Sequence, residues 1–263
     1  MSDGERPTAA TTDFMPAPEA ANRGVEGQLV YAVGDIHGRY DLLQQILRRI
    51  VADAAVRADG RRPVLLFCGD YIDRGPASAE VLSAMAWLRR RADYETHLLI
   101  GNHEQAMLRY LADPEGGRPW VGFGGAETLA AYGVAAPDVT DDTADHVEAR
   151  DRLLDAMPAS HLDLLQSLET LVTIGDYAFC HAGVRPGRPL AEQTVQDLLW
   201  IRAPFLDSTK AFEKMIVHGH SWDGPDPVIR GNRIGIDTGA YETGVLTCIR
   251  IEDGRVAVAA TRP

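Results

Sequence analysis

Five short polar clusters hold the residues of this chain that are equipped for chemistry, and each begins where an apolar run stops. They are Asp35 with His37; Asp70, Asp73 and Arg74; Asn102 with His103; His181; and His218 with His220. Carboxylate, imidazole and amide oxygen, without thiolate, form a borderline-to-hard donor set that suits Mn, Fe or Zn. Asp35 and His37 are one residue apart, so in an extended stretch both side chains point the same way. Singly, each cluster is weak. Gly-Asp is an ordinary turn, a histidine after a strand is commonly structural, and Asn102 after Gly101 suits a left-handed turn. Jointly they point to one site, because ligands of open α/β sheets gather at the carboxyl ends of strands.

Positioning these clusters takes a rhythm of strand, polar turn and amphipathic helix. Residues 29–33 run into Gly34-Asp35-Ile36-His37-Gly38, after which Leu42, Leu43, Ile46, Leu47 and Ile50 recur at helical spacing. Residues 64–68 run into Gly69-Asp70-Tyr71-Ile72-Asp73-Arg74-Gly75 and a helix over 78–91. Residues 97–100 run into Gly101-Asn102-His103-Glu104 and a helix over 105–111. This alternation predicts an α/β layered fold with parallel strands. The stretch 113–170 reads as a helical insertion on the core, with the acidic run 138–151 as a solvated helix face. Short strands follow near 177–180, 215–217, 228–229, 233–236, 244–251 and 255–259, and Glu252-Asp253-Gly254-Arg255 marks a hairpin. Residues 1–27, rich in Ala, Pro, Thr and Gly, read as a disordered tail, leaving 28–263 as one catalytic domain.

A net charge of -12 argues against nucleic acid or an anionic membrane as partner, so any attraction for phosphate must be local. No apolar run approaches the roughly 18 residues of a membrane span. Cys68, Cys180 and Cys248 sit in apolar runs and read as buried hydrophobes in a reducing compartment. The absence of a secretory signal adds to the expectation of a cytoplasmic location.

The three long motifs, followed by His181-Ala182-Gly183 and Gly219-His220, resemble the signature of the phosphoprotein phosphatase (PPP) family over about 29–250. Trp200-Ile201-Arg202 and the Gly124-Gly125, Thr128-Leu129 and Tyr132-Gly133 pairs are more similar to its bacterial and phage branch. The resemblance implies a calcineurin-like metallophosphoesterase fold, two packed mixed β-sheets flanked by helices. It implies two divalent metal ions, Mn2+ foremost, with Fe or Zn as alternatives. Asp35, His37 and Asp70 would hold the first ion, and Asp70 would bridge to a second completed by Asn102, His181 and His220. His218 is left as a neighbour. His103 would be the general acid and Asp73 its orienting partner, with Arg74, Arg202 and Asn102 holding the phosphate.

Two divalent ions outweigh Asp35 and Asp70, leaving a net positive site for a phosphate dianion. Metals about 3.5–4 Å apart can share a hydroxide that attacks phosphorus directly. Paired guanidinium groups suit the equatorial oxygens, and a cationic His103 beside Asp73 can protonate a basic alkoxide. The expected function is dephosphorylation of phosphoserine and phosphothreonine in proteins, extending to phosphotyrosine, with a phosphoprotein or phosphopeptide as partner. The alternative is a dinucleoside polyphosphate (diadenosine tetraphosphate) hydrolase. Asp73 and Glu104 favour the first, because nucleotide leaving groups need less help from an acid. No ligand is missing, which argues against an inert binding module. Residues 238–244 depart from the eukaryotic consensus, so no regulatory subunit is expected. His97, His146 and His161 read as structural, Asp237 as a turn organiser, and the 122–125 glycines lack the context of a nucleotide loop.

Overall fold

A computed structural model describes residues 14–17 and 23–261. The strands are β1 (Met15–Pro16), β2 (Val30–Val33), β3 (Val64–Phe67), β4 (Glu95–Leu98), β5 (Leu171–Ile174), β6 (Tyr177–Cys180), β7 (Met215–His218), β8 (Val228–Ile229), β9 (Arg233–Gly235), β10 (Thr247–Glu252) and β11 (Arg255–Ala260). They form two sheets, ordered β1-β11-β10-β2-β3-β4 and β5-β6-β7-β9-β8. Within them β2, β3 and β4 run parallel, as do β6, β7 and β9, while β10 returns antiparallel to β2.

Side-chain alternation builds the layers. Tyr31 and Val33 of β2 and Leu65 and Phe67 of β3 face a cluster with helices α1 (Tyr40–Arg57) and α2 (Ser78–Leu88). Their neighbours Val30, Ala32, Val64 and Leu66 pack instead against Phe179, Val217 and Ile234 of the second sheet. Both faces are therefore apolar, which is why these strands read as unbroken apolar runs. The parallel core puts the carboxyl ends of β2, β3 and β6, β7 along shared edges, where the polar clusters begin.

Helices α3 (Asn102–Ala112), α4 (Pro114–Gly117), α5 (Ala126–Ala131), α6 (Thr143–Ala156) and α7 (Ala159–Gln166) follow β4. Trp120, Leu129, Leu153 and Leu164 of this stretch join the same cluster as β2 and α1. Beyond β6 come α8 (Val195–Trp200) and α9 (Ala203–Leu206), whose Leu198, Leu199 and Phe205 cover the outer face of the second sheet. The expected hairpin is present: Asp253 (φ 47°) and Gly254 (φ 72°) form a two-residue loop between β10 and β11 with both φ positive.

The N-terminal expectation needs correction. Residues 1–13 and 18–22 lie outside the described residues, but Phe14 is buried against Tyr31, with ring centroids 5.7 Å apart. Met15 and Pro16 pair with Val258 and Ala257, and Val25 is buried between the sheets. A composition averaged over a segment hides one aromatic ring whose burial is favourable by itself. Sequence reading also missed β5. Among the described residues, no helix is long and apolar enough to cross a membrane.

Candidate active site

The loops that carry the clusters are tightly wound. Backbone φ is positive at His37 (46°), Asp70 (51°), Asp73 (72°), Arg74 (67°) and His220 (64°). Each such non-glycine residue costs on the order of 1–3 kcal/mol and persists only where its surroundings enforce it. At Asp70 the enforcing group is Glu104, whose buried carboxylate accepts from the N–H of Gly101 (2.8 Å), Asp70 (2.9 Å), Tyr71 (2.8 Å) and Ile72 (3.3 Å). Two glycines give the site carboxylates room. A Cβ on Gly101 would lie 2.0 Å from Asp70 Oδ1, and one on Gly219 would lie 1.8 Å from Asp35 Oδ1.

Three histidines converge on Asp70 and Asn102. His37 Nδ1 donates to Ile72 O (2.9 Å), leaving Nε2 3.5 Å from Asp70 Oδ2. His181 Nδ1 donates to Cys68 O (2.8 Å), leaving Nε2 3.5 Å from Asp70 Oδ2 and 2.8 Å from Asn102 Oδ1. His220 Nδ1 lies 2.8 Å from the same amide oxygen. Burial pushes His37 down to about 3, lowers His181 and pushes His220 down to about 2, so the imidazoles are neutral. With the proton held on Nδ1 by its carbonyl acceptor, Nε2 of His37 and of His181 presents a lone pair to another acceptor. A cation, which accepts lone pairs from both sides, resolves that opposition while the rings stay neutral. Asp35 Oδ1 and His220 Nε2 are also buried without a hydrogen-bond partner. The donor chemistry and these orphaned atoms fit divalent cations. Two groups of donors lie within 4.8 Å of one another, His37–Asp70–His103 and Asp70–His181–His220, with Asp70 common to both.

Asp35 sits differently from the expectation. The chain turns at His37 (φ 46°) instead of running extended through it, so the extended geometry expected for this pair is absent. Asp35 Oδ2 instead accepts from His220 N (2.8 Å), and its carboxyl neighbours that of Asp237. Burial, then the charges of Asp237 and Asp70, raise Asp35 well above the usual carboxylate range.

His103 is held by a carboxylate. Its Nδ1 donates to Asp73 Oδ2 (2.7 Å), and its Nε2 lies 3.2 Å from Arg74 Nη2. Burial pushes the imidazole down, but the Asp70 charge and the Asp73 hydrogen bond and charge outweigh it, lifting His103 to about 9. Asp73 is wholly buried and further satisfied by Trp120 Nε1 (2.8 Å) and Thr128 Oγ1 (2.6 Å). Neither residue was singled out from sequence. Thr128 lies in a quoted motif, but nothing in its spacing revealed that it reaches Asp73.

His37, Asp70, Asn102, His103 and His220 line one pocket with Arg74, Arg202, Trp222 and Asp237. Arg74 lies over the Tyr241 ring at 4.6 Å, and Arg202 is exposed, its Nη1 3.4 Å from Ser221 Oγ. The discounted glycine stretch is a neighbour of the site: Arg74 N donates to Gly124 O (3.1 Å). His97, His146 and His161 lie outside the pocket, bonded to Glu95 and Glu169, to Asp138 O, and to Ser83 and Tyr132. His218 also faces away, its Nδ1 donating to Gly219 O (2.9 Å).

The family profile described as Calcineurin-like phosphoesterase matches residues 29–238. A symmetrical bis(5'-nucleosyl)-tetraphosphatase of Legionella pneumophila (strain Corby) is 31% identical over 156 residues, 59% of this chain and 45% of that protein. The chain thus spans less than half the length of that curated relative. Among solved structures, a candidate diadenosine tetraphosphatase superposes with a TM-score of 0.61 at 19% identity, over 90% of this chain and 95% of the other. A protein serine/threonine phosphatase from Saccharomyces cerevisiae gives 0.56 at 16% identity, over 90% and 80%. These structures share the fold. Motif order, two-sheet architecture and the profile match together place this chain in the calcineurin-like phosphoesterase family, as a metallophosphoesterase.

Proposed function

We propose that this protein hydrolyses phosphate monoesters whose leaving group must be protonated as it departs, phosphoserine and phosphothreonine in proteins first among them, with phosphotyrosine next. The observation that carries this reading is the His103–Asp73 pair, with Nδ1 2.7 Å from a carboxylate that Trp120 and Thr128 also hold. A serine or threonine alkoxide is a very basic leaving group, and a positioned imidazolium is the donor it needs.

Asp35, His37 and Asp70 are proposed to hold one divalent cation, and Asp70, Asn102, His181 and His220 a second, Mn2+ before Fe or Zn. Bound there, such cations supply Lewis acidity, making water nucleophilic near neutral pH and drawing charge from the phosphoryl oxygens. Arg74 and Arg202, on the pocket lining, bind the equatorial oxygens and orient the ester. Asp73, accepting from Nδ1–H, orients the His103 ring and stabilises the imidazolium, whose Nε2–H is the proton offered to the leaving oxygen. Glu104 keeps the Asp70 loop in its left-handed turn.

A second reading has the sequence relatives behind it, and by that criterion it is better supported than the first. The Legionella relative, 31% identical over 59% of this chain, is named a symmetrical bis(5'-nucleosyl)-tetraphosphatase, so a dinucleoside tetraphosphate is the competing substrate. Its leaving group is a nucleotide, which asks less of His103. Rates on phosphoserine, phosphothreonine and phosphotyrosine peptides and on diadenosine tetraphosphate, measured side by side with Mn2+, decide between them. A strong preference for the dinucleotide would replace the first reading with the second.

A further inference from the structure

A second cavity, of about 340 Å3, lies between the segment after α9 and the β8–β9 hairpin and shares no lining residue with the candidate active site. Its wall carries Arg233, the first residue of β9, which is only 8% exposed. The guanidinium has no carboxylate in contact among the described residues. Nη1 is 3.4 Å from His218 Nε2, Nη2 donates to Leu206 O (3.3 Å), and Nε has no partner. Its Cζ lies 5.8 Å from the centre of the Phe205 ring. Among the described residues Arg233 makes no ion pair. An arginine removed from water without a counter-charge is costly, and the cost falls when an anion arrives.

The rest of the wall points the same way. Arg230 lines the cavity, exposed and without an ion pair among the described residues. Burial, and next the charge of Arg230, lower the Arg233 guanidinium, which places the two cations within electrostatic reach. Ser208 and Thr209 bring hydroxyls that make no hydrogen bond among the described residues. Asn232 clamps their loop to β9, its Nδ2 donating to Ser208 O (2.7 Å) and Lys210 O (2.9 Å). Asp207 is the opposing charge on this wall; it partly offsets the effects of burial and Arg230 on Arg233, but it comes within ion-pair distance of neither arginine among the described residues. In a chain of net charge -12, a cavity with two unpaired guanidinium groups is a local arrangement rather than a consequence of the global field.

We propose that this cavity is a second anion site that takes a phosphate-sized tetrahedral oxyanion, with Arg233 and Arg230 as its counter-charges and Ser208 and Thr209 as hydroxyl donors. Guanidinium matches tetrahedral oxyanions through paired N–H donors, and a dianion answers two cations. The anion is either free orthophosphate or the phosphate group of a larger molecule.

The test titrates the full-length protein with orthophosphate by calorimetry and phosphorus NMR. An Arg74→Gln/Arg202→Gln variant removes the phosphate contacts of the catalytic pocket. Wild type is expected to bind at two sites and the double variant at one. Adding Arg230→Gln, a surface change that leaves the core intact, weakens that remaining site by roughly tenfold to a hundredfold, as loss of a charge-assisted contact should. Phosphoserine competing equally well assigns the site to a phosphate group on a larger molecule, and failure to compete assigns it to the free anion. Loss of all binding in the double variant, or a remaining site indifferent to Arg230→Gln, overturns the proposal. Hydrolysis rates do not enter, so the test stands apart from the substrate question.

Discussion

His37, His181 and His220 on the one hand and His103 on the other are the same side chain in opposite states, although the His37 and His103 ring centroids are only 4.7 Å apart. All are buried, at 3%, 0%, 8% and 4% exposure, so burial does not separate them. Their partners do. His37 and His181 give Nδ1–H to backbone carbonyls, and His220 faces an amide oxygen, partners that orient a ring without charging it. His103 gives its Nδ1–H to a carboxylate, and that charge, with Asp70, outweighs the same desolvation. The neutral acceptors behind His37 and His181 leave Nε2 a lone pair, as the proposed ligand role requires, and the carboxylate behind His103 favours its charged form, as the proposed acid role requires.

The largest expected effect comes from the ligand side. Exhaustive chelation should abolish phosphate release and Mn2+ should restore it, and activity that survives in metal-free protein breaks the contrast at its root. Next is the acid side: His103→Asn should slow phosphoserine peptides by about 10²–10⁴-fold, the usual range for a general acid. Aryl phosphates, whose leaving groups are weak bases, should lose far less, and equal losses would remove His103 from the acid role. Behind it, Thr128→Ala takes from Asp73 both the donor to its carboxylate and an acceptor for its N–H, and should cost roughly tenfold on phosphoserine, again with aryl phosphates spared. A uniform loss would mean that Thr128 only supports the fold. Smallest is His97→Gln, which removes a surface histidine bonded to Glu95 and Glu169. Thermal unfolding should register less than about 0.5 kcal/mol and turnover should not change; a marked loss of turnover would show that the contrast extends beyond the pocket.

Legibility varied along the chain for identifiable reasons. Strands β2, β3, β6 and β7 were readable because apolar residues occupy both faces, and the β10–β11 hairpin because Asp253-Gly254 suits positive φ. Most site residues were readable because they cluster within a few positions of a strand end. Trp120 and Thr128 were not, since they reach Asp73 from 47 and 55 residues away. Phe14 was missed because a tail judged by composition has no term for one ring finding Tyr31.

By itself the sequence determined the donor types, their order, and the alternation that delivers them to one edge, because local hydrophobic period and turn chemistry act over a few residues. Tertiary structure decided everything that depends on distance across the chain. It brought the His220 N–H onto Asp35, set the Asp70 loop on Glu104, and put a carboxylate rather than a carbonyl behind His103. Protonation follows the groups packed around a side chain, and packing is settled only when all the layers close.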